Sequence, residues 1–177
     1  MLPQPLHPAI VHFPIVLAFL LPVAAVSALI AMRRGASGRR VWAPVGLLAA
    51  LLFLSAWVAV KTGQDQEDVA EEVVGERAIH GHEEAAERFL IAAGVIFGLA
   101  ALGLARGRTG AAGRIAAVAG SVVALAMVVQ TGHTGGQLVY RHGAAQAYVR
   151  AATTGTPTGE LGRDDERGGH GQRESGG

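Results

Sequence analysis

Charged side chains fall in four blocks along this chain, and the stretches between them are apolar. Residues 1–32, 41–60, 89–105 and 115–140 contain no Asp, Glu, Lys or Arg. Crossing a hydrocarbon core takes about 20 apolar residues as a helix, with a range of roughly 17–25. Residues 10–32 and 41–60 meet that length. Residues 89–105 stand at its lower edge, and the segment from 115 meets it if the helix continues past Thr131. The two shorter segments are rich in Ala and Gly, the composition of membrane helices that pack closely. Helices apolar on every side would leave a soluble protein almost no polar surface. The pattern therefore predicts an all-α integral membrane four-helix bundle. Its spans lie at about 10–32, 41–60, 85–105 and 115–135, within a membrane domain over 1–145. Residues 146–177 are rich in Gly, Thr, Arg, Asp and Glu and are expected to form a disordered tail.

Composition sharpens this picture. Only 16% of the 177 residues are charged, against about 25% in average globular chains. A formal charge of +1 gives no global basic field, so nucleic acid is not an expected partner. The chain has no cysteine. That excludes disulfides, thiolate zinc sites, iron–sulfur clusters, covalent Cys-x-x-Cys-His haem and a cysteine nucleophile. Any cofactor must be held by His, carboxylate, Met, Tyr or backbone.

The charges that remain are sorted by sign. Arg33, Arg34, Arg39 and Arg40 form one block without acids, and Arg106, Arg108 and Arg114 form another. Residues 61–88 hold three bases and nine acids, a net of −6. Cytoplasmic loops carry the excess of Lys and Arg. Loops 33–40 and 106–114 are therefore expected in the cytoplasm of a bacterial inner membrane, with both termini and residues 61–88 outside it. The opening MLPQPLHPAIVHFP has no basic leader and its apolar run is long, so a cleaved signal peptide is not expected.

Six of the seven histidines gather at the predicted outer level, with His170 in the tail. His7 and His12 open the first span, His80 and His82 precede the third, and His133 and His142 flank the end of the fourth. At 1.5 Å per residue, His12 lies about 30 Å from Met32, the depth of the hydrocarbon. Imidazole is the commonest metal ligand and a usual axial ligand of non-covalent haem, and bundle interiors are where such sites are built. The alternative is structural: a histidine at a helix end also caps carbonyls, bonds a neighbouring helix or sits among headgroups. His7 and His12 are five apart, so both cannot point inward from one helix. Pro5 and Pro8 favour a non-helical lead-in for His7. Glu76, His80, Glu83, Glu84 and Glu87 would share one helical face, either a divalent-metal stripe or a solvated acidic surface. In the run from Gly132 to Gly143, the pair Gly135-Gly136 weakens a helix or admits close approach. Tyr140 and Arg141 suit interface anchoring, and Tyr140 could donate a hydrogen bond to a quinone or a haem propionate.

HPAIVHFPIVL at 7–17 and GHTGGQLVYRHG at 132–143 resemble the two signature segments of a bacterial family of four-helix membrane proteins, domain of unknown function 2231. The resemblance covers residues 5–145, and His82-Glu83 resembles the family's His-Glu before the third span, with His80 as the rival for that position. Related domains occur joined to Rieske-type and cytochrome c-type modules, so the resemblance implies membrane redox chemistry with a partner.

Three readings follow. In the first, haem b is ligated by two histidines for electron transfer between a quinol and an extracytoplasmic acceptor. His12 and His133 are the first pair, with His82 and His142 as alternates and His7 and Tyr140 in support. In the second, His7, His12, His80, His82, His133 and His142 are candidate ligands for copper, zinc or iron. In the third, the bundle is a structural subunit in contact with membrane lipids. Hydrolytic catalysis is not expected: Gly-x-Ser-x-Gly, a phosphate-binding loop and His-Glu-x-x-His are all missing.

Overall fold

The computed structural model describes residues 7–65 and 76–140. A single helical turn, α1 (His7–Ile10), leads into α2 (His12–Arg33). Then come α3 (Gly38–Gln64), α4 (Glu76–Leu102) and α5 (Gly107–Tyr140), with no strand among the described residues. Helices α2–α5 are each long and apolar enough to cross a membrane. They pack as a ring, α2 on α3, α3 on α4, α4 on α5 and α5 back on α2. The fold is thus the all-α four-helix membrane bundle that the charge pattern predicts.

Each helix turns a stripe of small residues inward at alternating steps of three and four. Ala18, Leu21, Ala25 and Ala28 do so on α2; Trp42, Val45, Ala49, Leu52 and Ala56 on α3. On α4 the stripe is Phe89, Ala93, Ile96 and Ala100, and on α5 it is Ala117, Ser121, Ala124 and Val128. Ten of the eighteen buried hydrophobic residues are alanine, whereas Phe13, Phe19, Val23, Leu47, Trp57 and Ile91 are exposed. Small inside and large outside is the distribution of helices held together by close packing in lipid, not by apolar burial from water. Ser121, buried at the centre, satisfies its hydroxyl on its own helix at the Val118 carbonyl, 2.7 Å away.

Two short turns join the helices at the arginine-bearing end. The first follows a glycine stop: Gly35, at φ +95°, lets its N–H reach the Met32 carbonyl and that of Ala36 reach Ala31, both at 3.0 Å. The second, residues 103–106, is closed by side chains. The Trp42 indole N–H donates to the Ala100 carbonyl at 2.9 Å, and Arg114 Nε donates to the Gly103 carbonyl at 2.7 Å. The Ala100 oxygen belongs to the last turn of α4, where a helix leaves carbonyls without internal partners, and the Gly103 oxygen to the turn itself.

The helices overrun the uncharged stretches. α3 starts at Gly38, α4 starts at Glu76 inside the acidic block, and α5 starts at Gly107 within the second arginine block. α5 also runs to Tyr140, past the expected span end at 135 and through Gly135 and Gly136. Charge ends an apolar pattern but does not end a helix, because the backbone bonds persist outside the hydrocarbon. The lead-in also differs from expectation: His7–Ile10 is helical. Pro8 sits at the first-turn position, where its missing N–H costs nothing. The tail 146–177 lies outside the described residues.

The packing at the second turn generates a test. A Cβ on Gly103 would collide with the Trp42 indole, so Gly103→Ala should destabilise the detergent-solubilised protein by about 1–3 kcal/mol. Trp42→Phe should cost about 1 kcal/mol through the lost hydrogen bond. Exposed Phe19→Leu should fall within roughly 0.5 kcal/mol of wild type. Denaturant titration followed by circular dichroism reads all three.

Candidate functional site

The ends of α3 and α5 and the starts of α2 and α4 meet opposite the arginine-bearing turns. His12, His80, His82 and His133 all belong to this end. Their side chains are placed very differently.

His82 continues the inward stripe of α4, seven residues before Phe89, and is half-buried. Across from it, Thr131, Thr134 and Gly135 continue the inward stripe of α5 beyond Val128. His82 Nδ1 lies 3.1 Å from Thr134 Oγ1. The Thr134 hydroxyl spends its single proton on the Thr131 carbonyl, 2.9 Å away, so it accepts from the imidazole. With the hydroxyl so used, a neutral His82 would carry its proton on Nδ1. Glycine at 135 makes the approach feasible, since a Cβ there would stand 3.0 Å from His82 Cε1. The helix therefore continues through the Gly-Gly pair, and Gly135, not Gly136, admits a neighbour's side chain.

His133 is exposed, five residues past Val128 and off the stripe. Its Nε2 lies 2.8 Å from Gln137 Nε2. An amide nitrogen only donates, so this bond occupies the His133 Nε2 lone pair within its own helix. His12 is likewise exposed, two residues before buried Pro14. The pair expected first from sequence thus lies on outward faces of the bundle. His80 is exposed and stands 3.6 Å from Glu83 Oε2. Glu83 in turn accepts from Gln64 Nε2 at 3.3 Å, tying the end of α3 to α4. Glu84 pairs with Arg88 at the surface. Among the described residues, no three His, Asp or Glu converge as a metal would require. The backbones of His7 and Tyr140 are helical but their side chains are not described, and His142 and His170 lie outside the described residues.

Beside this network a groove of about 280 Å3 opens between α3 and α4. Trp57, Val60, Leu90 and Ile91 give it apolar walls, and Lys61, Gln64 and Glu87 give it a polar rim. Thr134, Thr131 and Gln64 were not singled out as site residues by the motifs alone, whereas Gly135 was marked as a point of close approach. The signal that finds Thr131, Thr134 and Gly135 is the three-four stripe of α5, extended two turns past Val128, whereas Gln64, five residues past buried Ala59, carries no such signal.

A family model described as "Predicted membrane protein (DUF2231)" matches residues 3–147. The chain belongs to that family. No curated protein and no solved structure matches it.

The His82 contact generates a test. Thr134→Val should leave the imidazole N–H without its acceptor and cost about 1–3 kcal/mol of stability. Nitrogen-15 NMR of the histidine rings should show His82 as the Nδ1–H tautomer in wild type, and that signature should be lost in the variant.

Proposed function

We propose that this DUF2231 membrane protein binds haem b iron through His82 at the histidine-bearing end and serves membrane electron transfer. The observation that carries the reading is the oriented imidazole. Nδ1 is held against the Thr134 hydroxyl, and an outer hydrogen bond of this kind is what fixes the ring of a ligating histidine. An ionisable group turned inward at a membrane helix end is also a functional residue by default. His142 and His7 are the candidates for a second axial ligand, since the exposed faces of His12 and His133 suit one poorly. Bound haem supplies a one-electron couple. The chain's own part is to orient His82 and to hold a redox partner nearby. The groove between α3 and α4 suits a quinol ring, with apolar walls for the ring and Lys61 and Gln64 as donors to its oxygens. We place the arginine-bearing turns in the bacterial cytoplasm and the histidines outside, following the charge bias.

A second reading is a copper, zinc or iron site, favoured by the contact of His80 with Glu83. A third reading is a structural subunit without a cofactor.

The absorption spectrum of detergent-purified protein, expressed with ample haem and reduced by dithionite, separates the three. The haem reading expects a sharp reduced α-band, lost in His82→Ala and kept in His12→Ala and His80→Ala. A featureless spectrum overturns it. Bound metal lost in His80→Ala would then favour the second reading, and neither cofactor nor metal the third. Orientation is tested by single cysteines, because the chain has none of its own. In spheroplasts, a membrane-impermeant maleimide should label Asp65→Cys directly and Ser37→Cys only after lysis.

A further inference from the structure

The arginine-bearing end carries a feature that the histidine site does not use. Its two turns border an open, solvent-facing cavity of about 470 Å3 between the starts of α3 and α5. Arg39, Arg40, Arg106 and Arg114 line it.

No carboxylate answers these four charges. The chain has no Asp or Glu before residue 65 and none between residues 88 and 159. Arg114 is half-buried, with Nε on the Gly103 carbonyl and its terminal nitrogens packed against Gly38. Arg39, Arg40 and Arg106 are exposed and form no ion pair among the described residues. The first turns of α3 and α5 contain no acid, and Ser37 makes no side-chain cap. Backbone N–H groups at both helix starts therefore add partial positive charge to the same space. A partly buried guanidinium without a counter-charge is costly, and nothing in the adjoining sequence can neutralise it.

We infer that this cavity is a specific site for the phosphate of an anionic phospholipid headgroup. Guanidinium groups recognise phosphate oxygens by paired, charge-assisted hydrogen bonds. The position selects the lipid as the source. The cavity lies where two apolar hairpins leave the hydrocarbon, and basic pockets between membrane helices are where such headgroups bind. A lipid seated there would bridge the α2–α3 and α4–α5 turns, supplying the anion that the fold lacks.

The test is native mass spectrometry of the full-length protein in mild detergent, with phosphatidylglycerol, phosphatidylcholine or inorganic phosphate added in separate arms. Phosphatidylglycerol should be retained in preference to phosphatidylcholine. The double variant Arg40→Gln/Arg106→Gln keeps Arg114 and its bond to Gly103. It should weaken that retention roughly 25-fold, at about five-fold per arginine. The control Arg33→Gln/Arg108→Gln removes equal charge from the same end outside the cavity, and should change retention less than two-fold. Equal retention of the two lipids overturns the inference in the wild-type protein alone, whether or not a variant folds. So does equal loss in both double variants, which would mean a diffuse field. Displacement of the lipid by millimolar inorganic phosphate would identify free phosphate as the ligand and overturn the lipid as its source.

Discussion

Hydrocarbon offers no hydrogen-bond partner, so every backbone group within the membrane must be satisfied by the protein itself. That constraint shapes the bundle more than any single contact. It requires long uninterrupted helices, and it requires the tight turn between α4 and α5 to close its own carbonyls. Trp42 and Arg114 do this from two different helices. Gly103 leaves the indole room to reach them. The alanine stripes serve the same end, because close helix approach replaces the apolar driving force that lipid removes.

The two ends of the bundle solve opposite problems. At the arginine-bearing end, the helices converge on cations and helix starts, with no acid in the adjoining sequence. At the other end the inward stripes change character. After Phe89 and Val128 the small apolar residues give way to His82, Thr131, Thr134 and Gly135, which hydrogen-bond and pack across the α4–α5 contact. The polar positions occupy the register that elsewhere holds alanine. They are consequently fixed by the same packing that fixes the core.

Most of the fold was legible in the sequence. Charge is so costly in hydrocarbon that its absence marks the spans, and basic residues such as Arg33, Arg40 and Arg106 mark the turns. Helix ends were less legible: α4 starts thirteen residues before Phe89, because acidic residues tolerate a helix in water. The site was legible only as a level along the bundle. Residue type and depth put His12 and His133 first and His82 behind them as an alternate, yet their side chains differ in what they face. The core stripe separates them, since His82 stands a heptad from Phe89 while His133 stands five residues from Val128.

The sequence by itself determined the class of molecule, the number of spans and the sorting of arginine to one end and histidine to the other. Those are one-dimensional properties, set by transfer energies that each residue carries wherever it sits. Tertiary structure decided the rest. It set the rotation of each helix, and so put His82 against Thr134 and left His12 and His133 outside. It also brought four arginines from two distant turns around one cavity. Rotation and juxtaposition depend on how two surfaces interlock, and no single segment holds that information.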